Sequence, residues 1–199
     1  MDRESLMDLA DHAEGNYHVF PIQGRSKKRW IEAPSDLLKQ VQRKTLDRLL
    51  DPIPLNGAAH GFVRDRSILT HASNHVRKRW IINLDIRSFF PSVNAEQVRK
   101  VAKELPILPD DVELFVKLTT RKEHLPQGAP TSPALGNLVL RSMDRKMCDL
   151  VRGTGWFYTR YADDLTFSGF RKPREIYDAA RRIVEEEGFQ TSPEEGRIR

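Results

Sequence analysis

The chain of 199 residues carries 33 Lys and Arg against 28 Asp and Glu, which gives a formal net charge of +5 at pH 7. This length is enough for one good core or two small lobes, and the basic excess favours a polyanionic partner. A single cysteine excludes a disulfide framework. No apolar run approaches the ~20 residues that span a bilayer, and the first residues are too polar for a signal peptide. We therefore expect a cytoplasmic protein with no membrane partner.

The first part of the sequence predicts a helix, a hairpin and two further helices. Residues 1–13 have apolar positions at helical spacing, and Gly15 and Asn16 end the pattern. Strands at 17–22 and 29–33 flank a basic turn, and a helix with one apolar face runs from 34 to 50. Ser67 begins another helix, which is expected to run toward Arg79.

The remaining sequence predicts a mixture of strands and helices. An apolar strand spans 80–86, and helices follow at 94–105, 109–118 and 131–151. Two strands meet in a tight turn within 157–168, an amphipathic helix fills 173–187, and a last strand is expected at 189–192. Because the order shows no regular βαβ alternation, the predicted fold class is α+β.

Two adjacent carboxylates, Asp163 and Asp164, lie at the turn between the strands of 157–168. Buried strands normally exclude charge, so acids held there need a partner, and a divalent cation suits acids that would otherwise repel. Taken alone, the pair could equally be an ordinary surface turn, because aspartate is a common turn residue.

A third carboxylate, Asp85, interrupts the apolar strand at 80–86 near its end. Beside a hairpin that carries Asp163 and Asp164, it would gather three hard oxygen donors at one edge of a sheet. Such donors suit Mg²⁺, with Mn²⁺ as an alternative, and two ions roughly 3.5–4 Å apart can activate a hydroxyl and stabilise a leaving phosphate oxygen. The pattern therefore indicates a two-metal site for phosphoryl transfer.

Three motifs, in this order, resemble those of reverse transcriptases, and in particular of the bacterial retron and group II intron type. The motifs are Asp85-Ile86-Arg87-Ser88-Phe89-Phe90, Leu125-Pro126-Gln127-Gly128-Ala129-Pro130-Thr131-Ser132-Pro133 and Tyr161-Ala162-Asp163-Asp164. The resemblance extends over about residues 31–168. His71-Ala72-Ser73-Asn74-His75 is similar to the retron element Asn-Ala-x-x-His, with His71 where Asn is usual. Three motifs in order make chance a poor explanation.

The resemblance implies a right-hand polymerase fold. It comprises a palm with a ferredoxin-like antiparallel sheet and fingers made of helices and a hairpin, and the thumb is absent. By this resemblance the fingers are 1–78 and 95–125. The palm is 79–94, which holds the catalytic strand, and 126–199.

The resemblance also assigns site residues. Asp85, Asp163 and Asp164 are expected to be catalytic, and the same three with Ile86 are expected to bind the metal ions. Nucleotide binding is expected of Arg29, Lys28, Phe90, Gln127 and Gly128. Nucleic-acid binding is expected of Arg64, Arg77, Lys78 and Tyr161.

Physical reasons support these roles, and simpler interpretations stay open beside them. A guanidinium at Arg29 suits a triphosphate, and a ring at Phe90 would clash with a 2′-hydroxyl. Arg29 could also lie on a solvated hairpin tip, Phe89 and Phe90 could both be core aromatics, and Gln127-Gly128 could be an ordinary turn.

The activity implied is that of an RNA-directed DNA polymerase, which transfers a nucleotide from a dNTP to a primer 3′- or 2′-hydroxyl on an RNA template and makes a DNA product. A retron-type enzyme would copy a structured noncoding RNA in phage defence in a bacterial cytoplasm, together with an effector protein. The alternatives are a fragment or split-enzyme subunit that acts mainly in RNA binding or assembly, with a second polypeptide supplying the thumb. A group II intron-like or template-independent polymerase is a further alternative.

Overall fold

The computed structural model describes residues 2–24 and 28–192, together with the backbone of Arg197–Ile198. The described helices are α1 (Arg3–Asp11), α2 (Asp36–Thr45), α3 (Ile68–Ser73), α4 (Phe89–Ser92), α5 (Ala95–Ala102), α6 (Val112–Thr119), α7 (Ser132–Val139), α8 (Arg141–Val151) and α9 (Arg174–Glu186). The strands are β1 (Tyr17–Gln23), β2 (Lys28–Pro34), β3 (Trp80–Asp85), β4 (Phe157–Tyr161), β5 (Asp164–Gly169) and β6 (Arg197–Ile198). This composition confirms the α+β prediction. Among the described helices, none is both long and apolar enough to cross a membrane.

The chain divides into two compact units, 1–54 with 90–139 and 55–89 with 140–199. The first unit contains the antiparallel hairpin β1–β2, in register from Tyr17 opposite Pro34 to Gln23 opposite Lys28. Of the predicted basic turn, 23–28, Gln23 ends β1 and Lys28 begins β2, while residues 25–27, including Lys27, lie outside the described part of the chain.

The core of the first unit forms where α1, α2 and α6 meet. Leu9, Ala10, Leu38 and Leu118 are buried together there. The fully buried Gln42 amide donates to the Tyr17 hydroxyl and to the Leu118 carbonyl, both at 2.9 Å. This side chain therefore ties α2 to the hairpin and to α6.

The second unit is built on a four-stranded antiparallel sheet in the order β4-β5-β3-β6. Ile82 lies opposite Phe167 and Leu84 opposite Leu165, and this buried apolar face is turned toward α8. Because side chains alternate along a strand, Asn83, Thr159 and Thr166 lie on the other face, where α3 packs on β4. The sheet thus has one apolar and one polar face.

Several predicted boundaries were wrong. The helix from Ser67 ends at Ser73 and does not run toward Arg79. Arg77, between them, has a left-handed φ of 58°, which a helix does not allow. The helix predicted at 131–151 is split at Leu140 into α7 and α8. The short helix α4 was not predicted.

The strand predicted at 189–192 was also wrong, because only Thr191 forms a bridge, to Ile86. The segment follows the end of β3 through isolated backbone bonds, from Arg87 N to Gln190 O at 2.8 Å and from Ser192 N to Asp85 O at 2.8 Å. Regular pairing on this edge of β3 comes instead from β6, at Ile82 and Asn83.

Candidate active site

Asp85, Asp163 and Asp164 lie at the same end of the sheet in the second unit. Asp85 ends β3 directly opposite Asp164, the first residue of β5. Residues directly opposite on antiparallel strands have their β-carbons about 4.5–5.5 Å apart. The Ile86 amide donates to the Asp163 carbonyl at 3.1 Å, so the hairpin turn is tied to the residue after β3. The backbone therefore brings the three predicted aspartates to one edge.

The turn that carries these acids is unusually tight for its sequence. Tyr161 pairs with Asp164, so the β4–β5 hairpin turns on Ala162 and Asp163 alone. Ala162 has φ 56°, the left-handed value that glycine adopts most easily at the first position of a type II′ turn. Such a conformation persists only where surrounding contacts impose it.

A buried arginine supplies one such contact. Arg160 in β4 is completely buried, and its Nη1 donates to the Ala162 carbonyl at 2.7 Å. Its Nε and Nη2 donate to the two carboxylate oxygens of Asp144 in α8, at 2.9 and 2.7 Å. The Tyr158 hydroxyl donates to the same carboxylate at 2.7 Å. The guanidinium thus joins α8 to the turn.

The charges of this network are stabilised by their pairing. Burial acts to lower the pKa of Arg160, but the hydrogen bonds and charge of Asp144 outweigh it and raise that pKa above its usual range. Burial raises the pKa of Tyr158 well above 10. Removing one member of a buried pair typically costs about 3–5 kcal/mol, because the other charge is left in a medium that solvates it poorly.

A second contact comes from the segment 58–61, which runs beside β4. Backbone bonds join Arg160 N to Ala58 O and His60 N to Arg160 O, each at 2.7 Å. A β-carbon on Gly61 would overlap the Ala162 amide nitrogen and stand 3.0 Å from the Tyr161 carbonyl carbon. Only glycine allows this approach of two backbones. Gly61 was not among the predicted site residues.

A buried hydrogen-bonded network lies on the polar face, the face on which Asp85 and Asp164 also fall by alternation. The two ring nitrogens of His75 lie 2.7 Å from the Ser168 and Thr159 hydroxyls. The Thr159 hydroxyl also lies 2.7 Å from His71 Nδ1. Burial lowers the pKa of His71 and lowers that of His75 to about 4, so both rings are neutral at pH 7. These contacts satisfy both ring nitrogens of His75 within the protein, as expected of a structural residue.

The donor chemistry of the aspartate end fits a divalent cation, since carboxylate oxygens are the ligands Mg²⁺ and Mn²⁺ prefer. The side chains are not gathered into one ligand set: within 2–24 and 28–192, no group of three or more His, Cys, Asp or Glu is arranged to hold a metal ion. Ile86, also predicted to bind the metal, has a fully buried side chain, so only its backbone could contribute.

The residues predicted to bind the nucleotide lie in the first unit. Lys28 and Arg29 are exposed at the start of β2. Further along β2, the Glu32 amide donates to the Gln127 carbonyl at 2.9 Å, so the Gln127-Gly128 loop lies on the same strand. Gly128 has φ 140°, and a β-carbon there would stand 3.0 Å from the Glu32 carbonyl oxygen. The fold thus brings two of the predicted nucleotide-binding segments together.

Glu32 itself is held in place by an arginine and a histidine that were not predicted as site residues. It is 8% exposed, its carboxylate forms an ion pair with Arg121, and His124 Nε2 lies 3.0 Å from its Oε2. Arg121 also lies over the Tyr17 ring, 5.7 Å from its centroid. A buried acid in a strand of this hairpin was the signal that could have revealed these partners.

The adjacent rings of Phe89 and Phe90 have different environments. Phe89 is 4% exposed, and its ring lies 6.4 Å from that of Phe189 within the second unit. Phe90, the first residue of the next segment of the first unit, is half-buried.

The residues predicted to bind nucleic acid are dispersed over the second unit. Tyr161 lies opposite Asp164, next to the aspartates, and its ring centroid is 6.1 Å from that of His71. Arg77 and Lys78 precede β3 and so lie at the opposite end of that strand. Arg64 is almost fully exposed, 3.9 Å from the Asp65 carboxylate.

Comparison with protein families gives one match over most of the chain. Residues 20–194 match the family described as reverse transcriptase (RNA-dependent DNA polymerase). Among curated proteins, the chain is 41% identical to the retron Mx65 reverse transcriptase of Myxococcus xanthus, over 92% of this chain and 48% of that protein. It is 33% identical to the retron Ec86 reverse transcriptase of Escherichia coli, over 94% of this chain and 60% of that protein.

Solved structures show the same fold at low sequence identity. A Candida albicans telomerase, in complex with a fragment of telomeric RNA, superposes with a TM-score of 0.60 at 12% identity, over 92% of this chain and 42% of that one. Apo telomerase of Candida tropicalis gives 0.61 at 12% identity, over 94% and 50%. The chain spans about half the length of the curated relatives and structures that it matches.

Proposed function

The chain belongs to the reverse transcriptase family, and on that basis we propose that it is the fingers and palm portion of a retron-type RNA-directed DNA polymerase. The observation that carries this proposal is the register of Asp85 against Asp164, with Asp163 tied to the residue after Asp85. Three carboxylates at one sheet edge are the donors that a phosphoryl-transfer site requires.

We further propose that the fingers are 1–78 and 95–125 and that the palm is 79–94 and 126–199. The two compact units support this division because they alternate along the chain in the same way. The unit boundaries, at 55, 90 and 140, differ from the proposed ones, because compactness groups 55–78 with the sheet of the second unit and groups 90–94 and 126–139 with the first unit.

In the proposed reaction, a primer 3′- or 2′-hydroxyl attacks the α-phosphate of a dNTP, and pyrophosphate leaves. Asp85, Asp163 and Asp164, with the Ile86 backbone, would hold two Mg²⁺ ions, or Mn²⁺. These ions would supply the Lewis acidity that lowers the pKa of the hydroxyl and neutralises the triphosphate. Arg160 and Gly61 would keep the turn that carries two of the aspartates in its left-handed form.

The dNTP would be bound by residues of the first unit. Arg29 and Lys28 are exposed on β2 and would pair with the triphosphate. Gln127 and Gly128 would contact the nucleotide from a loop that lies against β2, an approach that Gly128 allows because it has no side chain. The half-buried Phe90 would exclude a 2′-hydroxyl by steric clash.

The proposed substrates are an RNA template with its primer, and the product is DNA. Tyr161, beside the aspartates, and Arg64, Arg77 and Lys78 would contact the nucleic acid. By relation to the retron enzymes, the RNA would be a structured noncoding RNA in a bacterial cytoplasm, with an effector protein in phage defence. A second polypeptide, or the part of a longer chain corresponding to the rest of its relatives, would supply the thumb.

The test is template-directed dNTP incorporation on a primed RNA, with Mg²⁺ and with EDTA. We expect Asp163→Asn/Asp164→Asn to abolish incorporation while leaving the protein folded, as judged by thermal unfolding. A matched control is Asp110→Asn/Asp111→Asn, which removes another adjacent pair of aspartates, at the start of α6, and should incorporate as the wild type does. Equal activity in both variants would refute the assigned site.

The same assay separates the alternative functions. Incorporation that needs no template would identify a template-independent polymerase. No incorporation by folded wild-type protein, combined with tight RNA binding, would identify a binding or assembly subunit, a function compatible with a chain that spans about half of its relatives. Adding a thumb-bearing polypeptide would then restore activity if the enzyme is split.

A further inference from the structure

Two basic runs that are far apart in the sequence meet at the end of the sheet opposite the aspartates. Trp80, the first residue of β3, lies opposite Gly169, the last of β5. Arg77-Lys78-Arg79 therefore adjoins Phe170-Arg171-Lys172. This end lies five residues along β3 from Asp85, about 17 Å at the usual rise per residue.

Two exposed rings flank a lysine at this end. Lys78 Nζ lies 3.8 Å from the ring centroid of Phe157 and 5.3 Å from that of Phe170. Phe157 is 48% exposed and Phe170 is 59% exposed. Trp156 cannot join them, because its indole is buried over Gly169, where a β-carbon would stand 2.6 Å from the ring. Trp156 is therefore buried, whereas Phe157 and Phe170 are exposed to solvent beside the Lys78 ammonium group.

The two chain segments that meet at this end of the sheet are basic. Residues 76–80 and 167–174 contain six Lys and Arg and no Asp or Glu. Arg77, Arg171 and Lys172 are exposed, and Arg77 has φ 58°. Arg174 lies 3.8 Å from the Asp178 carboxylate. A surface with this composition suits a polyanion that also has flat apolar groups.

We propose that this basic aromatic surface, made of Arg77, Lys78, Phe157, Phe170, Arg171 and Lys172, binds a single-stranded segment of RNA outside the catalytic end of the sheet. The phosphates pair with the Arg and Lys side chains, and unpaired bases stack on Phe157 and Phe170. An acidic peptide would satisfy the charges but would leave the two rings without a flat partner. The choice of RNA rests on the proposed function.

The test measures the affinity of the full chain for an unstructured RNA of about 20 nucleotides, longer than one typical site. It is done in EDTA without dNTP, so that no catalysis contributes. We expect Phe157→Ala/Phe170→Ala to weaken binding about tenfold or more, since base stacking on aromatic rings contributes strongly. Arg171→Glu/Lys172→Glu should weaken it as well. Neutralising the pair, as Arg171→Gln/Lys172→Gln, should reduce the slope of log affinity against log salt by about 1.4, or about 0.7 per lost phosphate contact.

Matched controls keep the result specific. Phe62→Ala removes another ring of the same unit, 53% exposed, and Lys100→Glu/Lys103→Glu reverses two exposed charges, one in α5 and one directly after it. Both should bind RNA like the wild type. The phenylalanine substitutions should reduce the affinity for a fully paired RNA duplex less than the affinity for the single strand, because the bases of a duplex are not free to stack.

Four outcomes would overturn the proposal. The first is unchanged RNA affinity in both surface variants, and the second is an equal loss of RNA affinity in the control variants. The third is a lower Tm of the surface variants with unchanged RNA affinity. The fourth is binding of poly-glutamate as tight as that of RNA and unaffected by Phe157→Ala/Phe170→Ala. Because binding is measured without catalysis, RNA binding by this surface in a protein that incorporates no dNTP, even with a thumb-bearing polypeptide added, would refute the proposed function alone. Incorporation by a protein whose surface variants bind normally would refute this inference alone.

Discussion

Gly61 and Ala162 approach each other so closely that Gly61 has no room for a side chain. A β-carbon would overlap the Ala162 amide nitrogen, at the turn that carries Asp163 and Asp164. We expect Gly61→Ala to displace the turn and to reduce dNTP incorporation at least about tenfold, with a Tm lower by a few degrees. Gly57→Ala is the control, because a β-carbon there meets nothing within 4 Å. Wild-type incorporation by Gly61→Ala would show that the turn does not depend on this contact.

Asp144 and Arg160 offer a way to separate stability from positioning of the turn. Asp144→Leu should lower the free energy of unfolding by about 3–5 kcal/mol, because it leaves the Arg160 charge buried. Adding Arg160→Met should recover part of that loss, since both charges are then gone. The double variant still lacks the donor to the Ala162 carbonyl, so its incorporation should stay low. Urea unfolding and single-turnover incorporation measure the two effects, and full activity of the double variant would contradict the role of the guanidinium.

Gly128→Ala should weaken nucleotide binding more than it destabilises the fold. Its φ of 140° is one that other residues rarely adopt, and a β-carbon would stand 3.1 Å from Ile31 Cγ2 as well as 3.0 Å from the Glu32 carbonyl. We expect the KM for dNTP to rise about tenfold, with a smaller fall in kcat, because the loop would shift from β2. Gly15→Ala, in the same unit and with open space around it, should leave both constants unchanged. A fall in kcat alone would argue against nucleotide contact.

Phe90 is expected to determine the choice of sugar. Phe90→Val should let rNTPs enter, so that the ratio of kcat/KM for dNTP over rNTP falls about tenfold or more. Phe89→Leu changes the buried neighbour, and it should lower Tm without changing that ratio. Steady-state incorporation of matched dNTP and rNTP on one template measures this ratio for both variants. An unchanged ratio in Phe90→Val would show that Phe90 is a core aromatic residue and does not select the sugar.

His75 is expected to make the fold sensitive to acid. Its pKa is about 4 in the folded chain against an unfolded value near 6.5, so the unfolded state binds more protons between these values. The stability is therefore fully present above about pH 6.5 and is lost as the pH falls toward 4. Burial of the ring is the main cause of the lowered pKa, and His71, His60 and Lys78 add to it by charge. We expect the Tm to fall less steeply between pH 6.5 and 4.5 in His75→Gln than in the wild type, and parallel profiles would contradict this.

The aspartates illustrate how much of the site could be predicted. Asp85 ends an apolar strand, and Asp163 and Asp164 lie between two others, so periodicity alone indicated strand ends that could meet. What periodicity could not supply was the register that sets Asp85 opposite Asp164. Register depends on which faces are buried against α3 and α8, and that is a property of packing.

Arg160 and Gly61 show where sequence reasoning stopped. An arginine inside a buried strand signals a partner, but Asp144 lies on a helix that appeared continuous with α7, so the pair was not predicted. Gly61 looks like any loop glycine until segment 58–61 is seen to run beside β4. The strand predicted at 189–192 failed for a similar reason: its backbone bonds follow β3 without forming a ladder.

The pairing of Arg160 with Asp144 also bears on how the chain folds. The two residues are 16 apart in sequence, so the loop that brings them together closes at little entropic cost. Asp144 is synthesised first, and α8 can therefore offer its carboxylate as soon as the hairpin emerges from the ribosome. Until α8 docks, burying Arg160 is unfavourable, so we expect β4 and β5 to pack stably only together with α8. We therefore expect the turn that carries Asp163 and Asp164 to acquire its final shape only when the core beneath it has formed, so that an incompletely folded chain would lack the proposed site.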